Sequence, residues 1–318
     1  MIKIKSLIRI LKKNKVNFYT GVPDSVLKEL SFYLQKKNKS EHVIAANEGS
    51  AVSIGIGYYL SNKKVPCVYM QNSGLSNSIN PIISLAHPMV YSIPLILIIG
   101  WRGSPRVKDE PQHKAKGLIT TKLLKLLKIN YKLIKNNNDL SSFDKLIKFS
   151  KSKNKIVAAL IEKGTLIGEE NKNIFKESYK LPKQLFFEKF LNNINKNDKI
   201  ISSTGFNSRE LLFYRKKFNI KKGKDFYLVG GMGHTSSVSL GVNLINKKNN
   251  GQTICLDGDG SLLMHMGSLN TVAKFANKNF KYILMNNNSH DSVGGQSTYI
   301  DRINFKDLSK SLGFRKYF

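Results

Sequence analysis

The chain is poor in cysteine, arginine and acid, and it has no long apolar run. Its two cysteines, Cys67 and Cys255, stand far apart, each inside a short apolar segment. That excludes a disulfide framework and a CxxC metal site. No stretch approaches the roughly 18 uninterrupted apolar residues of a membrane span, so no membrane partner is expected. The opening MIKIKSLIRILKKNK alternates lysine with apolar residues. It lacks the apolar segment and small-residue cleavage site of a signal peptide and reads as a short amphipathic helix, which points to a cytoplasmic protein. Acid is scarce: 21 Asp and Glu face 52 Lys and Arg, a formal charge of +31. Such an excess raises the question of nucleic acid. Only seven of the 52 basic residues are arginine, the residue suited to bidentate phosphate or base recognition. The lysines are scattered among asparagines (KKNKVN, KNNND, KSKNK, INKKNN) instead of clustering with aromatics. No nucleic-acid partner is expected.

At roughly 150 residues per domain, 318 residues suit two domains. Apolar runs at 16–20, 65–70, 94–100 and 155–161 read as buried strands, with helices expected over 24–36, 47–61 and 117–128. A polar stretch, 165–181, suits a linker. A second alternating series follows: helix 182–195, strand 199–203, helix 206–217, strand 226–229, helix 235–246, strand 252–257, helix 262–277, strand 280–285 and helix 306–312. The pattern predicts an α/β protein with two doubly wound parallel-sheet domains, 1–164 and 182–318. Ligands of such sheets bind beyond the carboxyl ends of the strands, so the loops there should carry the chemistry.

The strand TICLD runs into Gly258-Asp259-Gly260-Ser261, and the strand KYILM runs into Asn286-Asn287-Asn288. Gly258 and Gly260 permit a tight turn and close backbone approach to a ligand. The helix opening at Ser261 can turn its amides towards a phosphate. Asp259 and an asparagine from the neighbouring strand end are hard oxygen donors that can converge on one Mg²⁺ already holding diphosphate oxygens.

This pattern resembles the thiamine diphosphate (ThDP) motif. The resemblance implies Asp259, Asn287 and the Ser289 carbonyl as metal ligands. The run of three asparagines leaves Asn286 open as an alternative. It also implies that Met232, in Gly230-Gly231-Met232-Gly233-His234, wedges beneath the cofactor, with Gly233 and His234 beside the diphosphate. A plain core methionine is the competing reading of Met232. ThDP needs a carboxylate on its aminopyrimidine, and Glu48 in HVIAANEGSAV fits, at a helix start where the dipole favours negative charge.

TGVPDSVLKEL, HVIAANEGSAV, VYMQNSGLSNSINPIISL, YSIPLILIIGWRG, KDEPQH and NNNSHDSVGGQ together resemble the phosphonopyruvate decarboxylase family of ThDP-dependent 2-oxo acid decarboxylases. The likeness spans nearly the whole chain. The string WRG…KDEPQH…G favours this family over the related sulfopyruvate decarboxylases. It implies conversion of 3-phosphonopyruvate to phosphonoacetaldehyde and CO₂ in phosphonate biosynthesis, with ThDP and Mg²⁺ as cofactors. It also implies a homodimer or homotetramer. The substrate is polyanionic, so the loop 101–117 is expected to contact it through Arg102 and His113, with Arg106 and Lys108 nearby. Asp24 and Ser25 could order the substrate, or Asp24 could cap helix 24–36. Gln71, Asn72 and Ser73 could line the cleft, and His290, beside Asp291, is a candidate proton donor. Two residues depart from the family: His87 replaces a carboxylate and Ser297 replaces a proline. The family continues for about one further βα unit and strand, so the second domain is expected to be truncated at its C-terminus. The alternatives are a sulfopyruvate decarboxylase or another 2-oxo acid decarboxylase, and an inactive truncated ThDP-fold protein.

Overall fold

The computed structural model describes residues 1–168, 181–246 and 251–318. The chain divides into two compact units, Met1–Ile174 and Phe175–Phe318. Most of the expected linker lies outside the described residues. Its first part does not behave as a linker: Leu166–Ile167 pairs in parallel with Ile2–Lys3.

The first unit runs β1 (Ile2–Lys3), α1 (Ile4–Lys13), β2 (Tyr19–Gly21), α2 (Lys28–Leu34), β3 (His42–Ile44), α3 (Glu48–Asn62) and β4 (Cys67–Gln71). A 3₁₀ segment (Asn72–Ser78), the short α4 (Ile79–Pro81) and a π turn (Ile82–Ala86) lead to β5 (Ile96–Trp101). Then come α5 (Pro111–Leu126), β6 (Asn130–Ile134), α6 (Asp139–Lys153), β7 (Val157–Glu162) and β8 (Leu166–Ile167). Six strands form one parallel sheet in the order β3-β2-β4-β5-β7-β6. Every residue of β5 and β7 is buried. That is why these strands read as continuous apolar runs and not as alternating ones. On one face lie α1, α2 and α6, with Leu7, Leu11, Leu30 and Phe143 in the core. On the other lie α3, the 72–86 segment and α5, with Val52, Leu75 and Leu124. The amphipathic helix expected at the start is α1, which buries Ile4, Leu7, Ile8 and Leu11 at helical spacing.

The second unit runs α7 (Lys183–Asn192), β9 (Lys199–Ser202), α8 (Phe206–Lys217), β10 (Lys224–Tyr227), α9 (Thr235–Ile245) and β11 (Thr253–Gly258). It continues through α10 (Asp259–Met264), α11 (Ser268–Phe275), β12 (Phe280–Met285) and α12 (Phe305–Leu312). Its four described strands are parallel, in the order β10-β9-β11-β12. The single helix expected over 262–277 is broken in two. His265 leaves helical geometry at φ −142°, ψ 47°, which interrupts the helix before Gly267. No helix among the described residues is long and apolar enough to cross a membrane.

Both sheets reverse their winding after the second strand added. In the first unit the chain adds β3 on one side of β2 and then β4 on the other. In the second it adds β10 on one side of β9 and then β11 on the other. A crevice opens at such a reversal, outside the carboxyl ends of the two central strands.

Helix α5 starts at Pro111, six residues before the expected 117, so His113 sits on a helix and not on a loop. Two glycines press this helix onto the end of β5. A Cβ on Gly103, at φ +67°, would lie 1.8 Å from the His113 carbonyl oxygen, and one on Gly117 would lie 1.7 Å from that of Gly103. Trp101 Nε1 donates to the Gly117 carbonyl at 3.0 Å. Gly117→Ala should therefore lower the free energy of unfolding by about 2–3 kcal/mol, read by urea denaturation. Unchanged stability would contradict this packing.

Candidate active site

The first unit gathers polar side chains at the carboxyl ends of β2, β3, β4 and β5. Asn47 caps α3, its Oδ1 accepting from the Ser50 amide at 2.8 Å, and this places Glu48 on the first turn. Glu48 is 5% exposed. Asn77 Nδ2 donates to Glu48 Oε2 at 2.8 Å. Only a glycine fits beside the other oxygen, because a Cβ on Gly74 would lie 2.1 Å from Glu48 Oε1. Burial raises the proton affinity of Glu48, the Asn77 hydrogen bond and the nearby Lys116 charge lower it, and Asp24 raises it further.

Asp24 does not cap a helix over 24–36, because α2 begins only at Lys28. Its Oδ2 closes a turn by accepting from the Val26 and Leu27 amides at 3.2 and 3.1 Å. Its Oδ1 accepts from Gln71 Nε2 at 2.6 Å. Burial pushes the Asp24 carboxyl up. Arg102 is clamped by Asp109 through Nε at 2.7 Å and Nη2 at 2.5 Å, and Nη1 lies 3.4 Å from Ser25 Oγ. The guanidinium holds the Asp109 carboxyl well below the usual carboxylate range. Arg106 pairs with Glu162 at 3.4 Å, so neither arginine is a free cation. Asn72 ties the corner together, donating to the Arg102 carbonyl at 2.9 Å and to Thr120 Oγ1 at 2.8 Å. Burial lowers the proton affinity of His113, and its Nδ1 is buried without a partner.

In the second unit Asp259 starts α10 at the end of β11, 5% exposed. Its Oδ2 accepts from the Ser289 amide at 3.0 Å and from Thr298 Oγ1 at 2.9 Å. Asn287 Oδ1 accepts from the same Ser289 amide at 3.1 Å. Asp259 and Asn287 thus converge on one point. Asn286 is exposed, and its Oδ1 is used locally by the Asn288 amide at 2.9 Å. Met232 is half-buried, not a core methionine. A Cβ on Gly260 would lie 3.2 Å from Met232 Cε and 3.0 Å from the His290 ring, so the three meet at one spot. Gly233, at φ +90°, donates its amide to Ser261 Oγ at 3.1 Å. His234 stacks on His265 with ring centroids 4.6 Å apart. Burial lowers the His290 pKa to about 4, leaving a neutral imidazole at pH 7.

Residues 4–122 match the thiamine pyrophosphate enzyme N-terminal TPP binding domain, and residues 212–313 match the C-terminal TPP binding domain. The chain is 31% identical to the phosphonopyruvate decarboxylase of Streptomyces viridochromogenes, over 99% of this chain and 81% of that one. It is 30% identical to that of Streptomyces hygroscopicus over 99% and 80%. It is 27% identical to the sulfopyruvate decarboxylase of Methanosarcina acetivorans over 93% and 80%. The chain belongs to the phosphonopyruvate decarboxylase family of ThDP enzymes.

Members of this family are carboxy-lyases, and this chain is a ThDP-dependent decarboxylase. Its second unit brings together hard oxygen donors that would fit a diphosphate-bound cation. Burial raises the proton affinity of Asp259, and its hydrogen-bond donors, the Ser289 amide and Thr298 hydroxyl, are neutral. A divalent cation would supply the positive partner, with the Asn287 amide oxygen beside it. No group of three His, Cys, Asp or Glu suited to a metal occurs among the described residues. A site of one carboxylate, one amide and one carbonyl is a different kind of site. The sequence reading missed Asn77, Gly74, Asp109 and Thr298. Asp109 was visible in the KDEPQH string, whereas Asn77 and Thr298 carry no local signature.

The burial of Glu48 has a measurable consequence. A carboxyl whose folded pKa is raised contributes its full stability below the unfolded value and loses it as pH rises through the folded value. Glu48→Gln keeps the acceptor for Asn77 and removes the charge. The cofactor-free variant should match the wild-type melting temperature near pH 4 and exceed it at pH 8. A variant less stable at pH 8 would contradict the assignment.

Proposed function

We propose that this decarboxylase converts 3-phosphonopyruvate to phosphonoacetaldehyde and CO₂, in phosphonate biosynthesis. The observation that carries the substrate is the match to phosphonopyruvate decarboxylases along 99% of the chain. The sulfopyruvate decarboxylase match at 27% identity favours sulfopyruvate as the second reading. Either substrate has a carboxylate at one end and a tetrahedral oxyanion at the other.

When bound, ThDP supplies the electron sink that lets the carbon–carboxylate bond break. Glu48 would hold a proton at the aminopyrimidine, and its raised proton affinity suits exchange nearer neutrality than an exposed glutamate allows. Asp259, Asn287 and the Ser289 carbonyl would hold Mg²⁺. Asn287 is preferred to Asn286 because its oxygen shares the Ser289 amide with Asp259. Gly233, His234, Gly260 and Ser261 would border the diphosphate, and Met232 would support the rings. At the strand ends of the first unit, Arg102, Ser25 and His113 would meet the distal oxyanion. The Asp109 clamp fixes the guanidinium plane and leaves Nη1 for Ser25 and a ligand. His290, beside Gly260, would be the proton donor to the product-forming carbon in its protonated form, which burial disfavours and the Asp291 charge favours. The working unit is a homodimer or homotetramer in the cytoplasm.

CO₂ release should be fastest with 3-phosphonopyruvate, slower with sulfopyruvate and slowest with pyruvate. Glu48→Gln should lower turnover at least about 10²-fold while retaining ThDP affinity. Activity confined to sulfopyruvate would replace the named substrate, and unchanged turnover in the variant would remove Glu48 from its role.

A further inference from the structure

Gln71 is the last residue of β4, at the winding reversal between β2 and β4. Its side-chain amide is held at both ends. Nε2 donates to Asp24 Oδ1 at 2.6 Å, and Oε1 accepts from Ser73 Oγ at 2.8 Å. A carboxylate only accepts and the Ser73 hydroxyl donates, so this pair fixes which end of the amide faces which neighbour. Asp24 is itself immobilised. It is 1% exposed, its second oxygen takes the Val26 and Leu27 amides, and a Cβ on Gly100 would lie 2.0 Å from Oδ2. A glycine on β5 therefore makes room for the carboxylate that orients Gln71. The amide has two N–H bonds. One is spent on Asp24, and the half-buried side chain retains the other at the strand ends.

We propose that Gln71 is a substrate-binding residue whose remaining N–H donates to the C1 carboxylate of the 2-oxo acid, with Asp24 and Ser73 as its positioning residues. The inference rests on the reading of these strand ends as the substrate site. It changes the role expected for Asp24, whose oxygens are occupied by Gln71 and the turn amides. It also divides the two anionic ends of the substrate. The multiply charged end suits the Arg102 guanidinium beside Ser25, and the carboxylate suits a neutral donor. The carboxylate is the group that leaves as CO₂. A cation there would stabilise the charge before reaction more than during it, whereas a fixed neutral N–H orients the group at a smaller cost to the barrier.

The test is calorimetric binding to the full chain loaded with ThDP and Mg²⁺. The probes are 3-phosphonopropionate, which keeps both anionic ends but lacks the reacting ketone, and methylphosphonate, which keeps only one. Gln71→Leu should weaken 3-phosphonopropionate by at least about tenfold and leave methylphosphonate unchanged. Asp24→Asn and Ser73→Ala, which free the amide to turn, should weaken 3-phosphonopropionate by about three- to fivefold, again sparing methylphosphonate. Asp24→Asn should also raise KM for the substrate more than it lowers kcat. Equal binding of 3-phosphonopropionate by wild type and Gln71→Leu overturns the assignment. Equal loss of both probes also overturns it, because it marks general damage and not a carboxylate contact. A wild type that binds 3-sulfopropionate but not 3-phosphonopropionate overturns the proposed substrate, and the same comparison on the sulfonate then decides Gln71. A wild type that binds neither 3-phosphonopropionate nor 3-sulfopropionate overturns the inference.

Discussion

A carboxylate buried at the end of a parallel strand, in no ion pair among the described residues, is the constraint around which this molecule is arranged. Glu48, Asp24 and Asp259 are each 5% exposed or less. Each is held by neutral donors: Asn77 for Glu48, Gln71 and two amides for Asp24, Thr298 and the Ser289 amide for Asp259. Such groups are costly to hold ionised, and burial raises the proton affinity of all three. Two sit against glycines that no other residue could replace without displacing the carboxyl, Gly74 for Glu48 and Gly100 for Asp24. That cost in stability is the sign of a place prepared for a ligand.

The two units reach this arrangement by the same winding. The orders β3-β2-β4-β5 and β10-β9-β11-β12 place each reversal between the first and third strands added. In the first unit Asp24 and Gln71 bridge that reversal, from the ends of β2 and β4. In the second, Asp259 follows β11 at the corresponding position, and Gly258 lies close to Ser203 and Asn207 beyond β9. These side chains therefore stand where parallel-sheet geometry leaves backbone ends open to a ligand. The charge of +31 plays little part in this. Arg102 and Arg106 are both committed to carboxylates, and Lys116, half-buried on α5, acts on Glu48 from nearby.

Much of this was legible in the residues. Glu48 and the GDGS segment stand out because they combine small residues with a carboxylate directly after an apolar run. The fully buried strands β5 and β7 were visible as unbroken apolar stretches. Other features were not legible, for identifiable reasons. The pairing of β8 with β1 joins two-residue strands at opposite ends of the first unit, too short to show any period. The start of α5 at Pro111 was hidden because the preceding string reads as a polar loop, although proline at the first helical position is a recognised start. The break at His265 carries no proline and depends on tertiary packing, since His265 stacks on His234. The Asp109 clamp on Arg102 joins residues of one loop, and only its folded geometry shows that the arginine is not free.

Titration of ThDP into the cofactor-free chain, with and without Mg²⁺, tests the buried-carboxylate view most directly. If Asp259 and Asn287 are built to share a divalent cation with the diphosphate, ThDP should bind tightly only when Mg²⁺ is present, and Asp259→Ala should abolish the Mg²⁺ dependence together with the affinity. Equal ThDP affinity with Mg²⁺ and with a chelator, or tight Mg²⁺-dependent binding retained in Asp259→Ala, would contradict it.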